Sequence, residues 1–158
     1  MARIETTTRI AAPRERCFDL ARSVDVHVRG AAATGERAVA GKTAGLLGLG
    51  DEVTWQATHF GLRLRLASRI TRFERPDRFR DSLVRGPLAR LDHDHEFQDD
   101  GAGGTLMSDR FDYGAPLALA GRLAELLFLT RHLRRFLDAR NRELKRIAES
   151  DEWTRYLP

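Results

Sequence analysis

Apolar and polar residues alternate with a period of two through the middle of the chain and recur at three- and four-residue steps near its end. Residues 2–11 (ARIETTTRIA) alternate and are rich in Ile and Thr, which suits an opening strand. Pro13 stands where a helix can begin, and ERCFDLARSVDVHV behind it predicts one or two short helices. From Thr34 the period of two predicts strands at 34–41, 50–60, 62–74, 78–86, 88–97 and 104–113. Turn residues separate them: Phe60-Gly61, Pro76-Asp77, Gly86-Pro87 and the run from Asp99 to Gly104. Pro116 opens the last element, in which only Gly121 interrupts a helix-forming composition; about 34 residues make a helix of roughly 50 Å. On it Leu119, Leu123, Leu126, Leu127, Thr130, Leu133, Leu137, Leu144 and Ile147 form an apolar stripe opposite Arg131, Arg134, Arg135, Arg142 and Arg146. Strands in succession followed by one amphipathic helix predict an α+β fold. A curved antiparallel sheet of about seven strands wraps round the long C-terminal helix, with two short helices after the first strand.

Hairpin geometry selects the faces. A two-residue Phe60-Gly61 turn pairs His59 with Leu62, Ala57 with Leu64 and Trp55 with Leu66, and paired residues share a face. That face carries Val53, Trp55, Ala57, His59, Leu62, Leu64, Leu66 and Ile70 and is the inward one. A two-residue Pro76-Asp77 turn pairs Arg72 with Asp81 and Ile70 with Leu83. A two-residue Gly86-Pro87 turn would bury Arg90 and Asp92, which desolvation disfavours; a three-residue turn through Leu88 pairs Leu83 with Leu91, Asp81 with His93 and Phe79 with His95. On the last strand Thr105, Met107, Asp109, Phe111 and Tyr113 face inward, and the simplest register sets His93 opposite Asp109, with a slip by two residues open. The inward wall therefore carries one polar line of Arg72, Asp81, His93 and Asp109, with His59 and His95 on the same wall.

Composition narrows the class. The 158 residues favour one domain spanning 1–158, and 42% apolar with 32% charged residues exclude a largely disordered or collagen-like chain. No run approaches the 18 apolar residues of a membrane span, so insertion into a membrane is not expected. Net charge is +4, and Lys42 and Lys145 are the two lysines among 27 basic residues. Glu125, Asp138, Glu143 and Glu149 interleave with the arginines, which describes a solvated surface and not a nucleic-acid groove. Cys17 is the one cysteine, so an internal disulfide and a four-cysteine zinc site are excluded. Arg3, Glu5 and Arg9 occupy the place of a signal peptide's apolar region, which makes a reducing cytoplasm the default compartment. There is no GxSxG, and GKTAGLLGLGD lacks the end of a Walker phosphate loop and fits a flexible loop.

With this element order, the glycine-rich 41–50 loop and the stretches WQATHFG, FRDSLVRGP, HDHEF and GGTLMSDRFDYGAPL, the chain resembles the SRPBCC (START-like, Bet v 1-type) superfamily. Within it the bacterial polyketide cyclase/dehydrase-like ligand-binding group is the most similar. The likeness covers essentially the whole chain, and HxHxF and GTxMxD are its more specific parts. It implies a helix-grip fold with a deep apolar cavity between sheet and long helix. It implies no particular reaction, since the superfamily includes carriers, receptors, cyclases and oxygenase domains.

The leading functional expectation is binding of a small hydrophobic molecule (lipid, polyketide or aromatic-like) in that cavity. Trp55, His59, Leu64, Leu66, Phe79, His95, Phe97, Met107, Phe111, Tyr113, Leu123 and Leu127 are the candidate lining. Two carboxylates beside His93 favour its protonated form, so His93 with Asp81 or Asp109 forms a candidate acid–base group for a cyclase- or dehydratase-like enzyme. The same residues also suit a ligand anchor, or a buried ion network that fixes strand register and touches no ligand. The HxH of His93 and His95 can supply two imidazoles to a metal, with His59, Asp81 or Asp109 completing a set. Adjacent carboxylates equally suit hydrogen-bonded histidines, and the sequence leads to an expectation of no metal and no cofactor. A non-catalytic module whose arginine surface meets an acidic protein is the remaining alternative.

Overall fold

The structure, a computed structural model, describes residues 1–116 and 122–158. Its elements in chain order are β1 (Ala2–Ile10), α1 (Arg14–Ala21), α2 (Val24–Gly30), β2 (Arg37–Gly41), β3 (Glu52–His59), β4 (Leu62–Glu74), β5 (Arg78–Arg85), β6 (Arg90–Asp99), β7 (Thr105–Gly114) and α3 (Leu123–Ala148). The strands form one antiparallel sheet in the order β1-β7-β6-β5-β4-β3-β2, so the first strand closes against the last. The two short helices and α3 complete the helix-grip arrangement. The helix α3 has 26 residues, begins at Leu123 and not near Pro116, and spans roughly 39 Å. The expected stripe position Leu119 and the interruption at Gly121 lie outside the described residues.

The β3–β4 hairpin follows the expected register, with His59 opposite Leu62, Ala57 opposite Leu64 and Trp55 opposite Leu66. Phe60 and Gly61 take φ values of 53° and 74°, as a two-residue turn with left-handed centres requires. The next hairpin departs from expectation. Its loop holds three residues, so Glu74 faces Arg78 and Arg72 faces Arg80. A bulge between Ile70 and Arg72 then sets Ile70 opposite Asp81 and Ser68 opposite Leu83. The extra residue reverses parity between Ile70 and Arg72. Ile70 is buried, while Arg72 is exposed and donates from Nε to Glu74 at 2.7 Å, so Arg72 has no place in the inward polar line.

Two apolar clusters fill the space between sheet and helices. One gathers Phe18 and Cys17 of α1, Val24 and Val26 of α2, Trp55, Ile70, Phe79, Phe97, Met107 and Leu144. Phe18 is fully buried and meets Phe73, Phe79 and Phe97 edge-on at 5.3–5.4 Å between ring centres. Burying such a side chain is worth about 1.5–3 kcal/mol. The other cluster joins Ile4, Leu91, Phe111 and Tyr113 of the sheet to Leu129 and Leu137 of α3. The Tyr113 hydroxyl reaches Thr130 Oγ1 at 2.5 Å, and that hydroxyl in turn donates to the Leu126 carbonyl. Gly30 allows α2 to lie close on α3, because a Cβ there would stand 2.9 Å from Arg140 Cα. Among the described residues no helix is long and apolar enough to cross a membrane.

Candidate functional site

Three neighbouring strands bring four polar side chains together on the inward face: Asp81 of β5, His93 and His95 of β6, and Asp109 of β7. Asp81 lies opposite His93 and Phe79 opposite His95, as expected. On the other side the register is slipped by two residues, so Asp109 faces His95 while His93 faces Phe111. Asp109 nevertheless serves both imidazoles. His93 Nε2 donates to Asp109 Oδ1 at 2.9 Å, and His95 Nδ1 lies 3.0 Å from the same oxygen. The other carboxylate oxygen, Oδ2, accepts from Asn141 Nδ2 of α3 at 2.7 Å and from Thr6 Oγ1 of β1 at 3.3 Å. Asp81 Oδ2 accepts from His95 Nε2 at 3.2 Å and stands 3.9 Å from His93 Nδ1. The two rings lie 3.8 Å apart, and both histidines and Asp109 are buried.

A carboxylate only accepts, so the nitrogens that face it must donate. Burial disfavours charge on His95, but hydrogen bonds to Asp109 and Asp81 outweigh it and raise its pKa above the ordinary 6.5. Burial, reinforced by the charge of His95, pushes His93 below its ordinary value despite Asp109. The environment therefore favours the charged imidazole at His95 and the neutral one at His93, whose Nε2 donates to Asp109. Burial alone would raise both acids. The bond from His95 and the charges of His93, His95 and Arg140 hold Asp81 at about 2, and the two imidazoles hold Asp109 well below the carboxylate range.

A cavity of about 110 Å³ adjoins this cluster, between the sheet and α3. Trp55, Leu66, Leu91, Phe111, Leu133 and Phe136 supply its apolar wall, and His27, Glu36, His59, Ser68, Asp81, His93 and Arg140 its polar one. Two smaller spaces of about 30 and 20 Å³ continue it past His27 and Arg140 towards Phe79, His95 and Met107. Of the expected lining, Trp55, His59, Leu66 and Phe111 border the main cavity, and Phe79, His95 and Met107 the smaller ones. Phe97 and Tyr113 are packed into the two clusters, and Leu64 is half-buried on β4. Leu123 and Leu127 are 70% and 62% exposed and border none of these spaces; the helix turns Leu129 inward instead.

Three contributors were not expected from the sequence. Arg140 borders all three spaces, its Nε is buried without a hydrogen-bond partner, and among the described residues no carboxylate pairs with it. Asn141 holds Asp109. Both lie at helical spacing from Leu133, Leu137 and Leu144, so the period of α3 carries the signal that places them inward. His27 and the buried Glu36 form a tight hydrogen-bonded pair, with the imidazole stacked on Trp55 at 3.8 Å. Burial is the largest influence on each. It lowers His27, while on Glu36 the imidazole outweighs it and the carboxyl is lowered.

No protein-family model and no curated protein sequence matches the chain. Solved structures do. TTHA0849 from Thermus thermophilus superposes with a TM-score of 0.74 at 18% identity, covering 92% of this chain and 95% of that one. Ginseng major latex-like protein 151 from Panax ginseng gives 0.63 at 16%, covering 99% and 98%. A START superfamily protein from Mycobacterium smegmatis gives 0.59 at 14%, covering 90% and 98%. The chain thus shares the helix-grip fold of these START-superfamily and latex-like structures.

Proposed function

We propose that the protein binds a small amphipathic molecule, a single ring or short acyl chain with an anionic end, between the sheet and α3. The apolar body would lie against Trp55, Leu66, Phe111 and Phe136, and the anionic group would meet Arg140. The observation that carries this reading is Arg140, whose Nε is buried without a hydrogen-bond partner on the wall of a partly open, largely apolar cavity. Arg140 is half-buried, and a cation withdrawn from water gains from an anionic partner, which a ligand can supply. Size limits the ligand: about 150 Å³ accommodates benzene in a protein interior, against about 110 Å³ here, so a single ring must extend into the adjoining spaces of about 30 and 20 Å³ or out through the open side. A lipid or polyketide would require the walls to part. A place among cytoplasmic polyketide cyclase/dehydrase-like proteins of bacteria belongs to the same proposal.

The test begins with native mass spectrometry of freshly purified protein for a co-purified small molecule. Calorimetry with benzoate and benzyl alcohol then compares an anion with its neutral counterpart. Charge-assisted hydrogen bonds are worth about 1.5–3 kcal/mol, so benzoate should bind about 10–100-fold more tightly, and Arg140→Leu should abolish the preference. Failure of both probes to bind, with no co-purified molecule, overturns the reading.

A second reading is favoured by one observation. Among the described residues His93 Nδ1 has no hydrogen-bond partner, Asp81 Oδ2 standing 3.9 Å away, while Asp109 fixes the ring through Nε2. A neutral, oriented imidazole beside a ligand cavity is arranged as a general base. His93→Gln that retains ligand affinity and loses turnover would support catalysis; loss of neither leaves the residue structural.

A further inference from the structure

The polar cluster has two layers, and their order is that of a metal site. The inner layer offers three atoms: Asp81 Oδ2, His93 Nδ1 and His95 Nε2. The carboxylate oxygen stands 3.9 Å from the first nitrogen and 3.2 Å from the second, and the three residues' ligand atoms all lie within 4.8 Å of one another. Ligand atoms about 2.0–2.2 Å from one ion stand about 3.0–3.5 Å apart, so small rotations of these side chains suffice to close on it. The outer layer is Asp109, which lies against the far nitrogen of each ring, at 2.9 Å from His93 Nε2 and 3.0 Å from His95 Nδ1. Metal-bound histidines are held in this way, through the nitrogen that does not touch the ion, by a carboxylate that fixes ring orientation. Asn141 and Thr6 anchor Asp109 in turn.

We propose that Asp81, His93 and His95 bind a first-row divalent transition-metal ion, with Asp109 orienting both imidazoles and the remaining coordination positions turned towards the cavity. This goes beyond the ligand-binding reading and does not depend on it. Two imidazoles and one carboxylate suit Zn²⁺ or Fe²⁺, and not Mg²⁺ or Ca²⁺, which take oxygen ligands. The charge balance also suits a cation. Asp81, Asp109 and Glu36 face the region against Arg140, while Arg22 on the adjoining space is paired with Asp19. On binding, the proton on His95 Nε2 leaves to solvent and its nitrogen lone pair passes to the ion. Open positions follow from placement, because Asp81 and His93 border the main cavity while Asp81 and His95 border the smaller one beside it. With an ion present, His93 Nδ1 is a ligand and not a base, so this site and the acid–base reading exclude each other.

The experiment titrates chelator-stripped, full-length protein with Zn²⁺ by calorimetry and with Co²⁺ by visible absorption, with Mg²⁺ and Ca²⁺ as controls. One Zn²⁺ per chain is expected, with Co²⁺ bands of nitrogen and oxygen ligands and no thiolate charge transfer. Asp109→Asn should weaken binding about 10–100-fold, the usual effect of losing an outer carboxylate. Asp81→Asn and His93→Gln should weaken it further. His132→Gln should leave it unchanged, since His132 pairs with His59, Nδ1 to Nε2 at 2.8 Å, outside the cluster. Absence of stoichiometric Zn²⁺ and Co²⁺ binding overturns the proposal, as does binding lost in His132→Gln or retained in both Asp81→Asn and His93→Gln. If the cluster variants fail to fold, imidazole NMR of the unaltered protein decides. Zn²⁺-dependent shifts at His93 and His95 support the site, and shifts confined to His59 and His132 overturn it.

Discussion

Asp109→Asn isolates the electrostatics of the buried cluster from its packing. The two side chains have nearly the same volume, so the substitution opens no cavity. The Asp109 side chain is 1% exposed. Its oxygens lie 2.9 and 3.0 Å from the two imidazoles, 2.7 Å from Asn141 and 3.3 Å from Thr6. An amide retains one acceptor oxygen for these donors and presents its own N–H groups to the rest. Removing one partner of a buried ion pair costs about 3–5 kcal/mol, and the surviving acceptor recovers part of that. A loss of about 3–4 kcal/mol is expected, or about 6–15 °C in melting temperature for a chain of this length. Urea denaturation at pH 7 in the presence of a chelator measures it. Asp92→Asn is the control, because Asp92 accepts from Ser82 and Arg90 nearer the surface, where such pairs are worth under about 1 kcal/mol. Asp109→Asn combined with His95→Gln should lose less than the sum of the single changes by more than about 1 kcal/mol, since the charge it strands is then gone. An Asp109→Asn stability within about 0.5 kcal/mol of the unaltered protein refutes the argument.

Acid should destabilise the fold in two stages. His27 lies below its ordinary 6.5 and Glu36 below its ordinary 4.5, so the folded state favours the deprotonated form of both. Their contribution is complete above the unfolded values and declines as pH falls, first below about 6.5 and again below about 4.5. A denaturation midpoint that stays flat from pH 7 to 4, or a slope undiminished in Glu36→Gln, would contradict this. Gly30→Ala places a methyl 2.9 Å from Arg140 Cα and should cost about 1–3 kcal/mol by thermal melting, as overpacked contacts do. Leu127→Gln should change stability by less than about 0.5 kcal/mol and leave ligand affinity intact by calorimetry, because its side chain faces out of the interior.

Strand periodicity carried most of the architecture, since a period of two with one buried face admits a single register at each two-residue turn. What it lacked were loop length and bulges. Pro76-Asp77 reads as a turn of either two or three residues, and nothing in Ile70-Thr71-Arg72 announces an extra residue. The face of Arg72 was therefore assigned wrongly while that of Asp81 was assigned correctly. At the start of α3, Leu123, Leu126, Leu127, Phe128 and Leu129 are apolar on every side, so spacing alone selects no face there. Further along, Arg140 and Asn141 share the stripe of Leu137 and Leu144, but their polarity suggests solvent, and only a cluster awaiting them on the sheet explains their turn inward. The His93–Asp109 contact was legible through parity. The upward shift at His95 was not, because it depends on which imidazole touches two carboxylates.

The placement of these groups is what the proposed ligand and metal sites rest on. Asp81, His93, His95, Asp109, His27, Glu36 and Arg140 share one small core, where replacing buried ionic groups by well-packed apolar side chains is often neutral or stabilising. Packing alone therefore gives no reason to keep them. The cluster is also unevenly satisfied. Asp109 takes donors from two histidines, Asn141 and Thr6, whereas among the described residues His93 Nδ1 and Arg140 Nε, beside open space, make no hydrogen bond. A network that served only the fold would close on itself at all points. Here it closes on the side of the sheet and α3 and stays open on the side of the cavity, which is where a ligand or an ion has room to complete it.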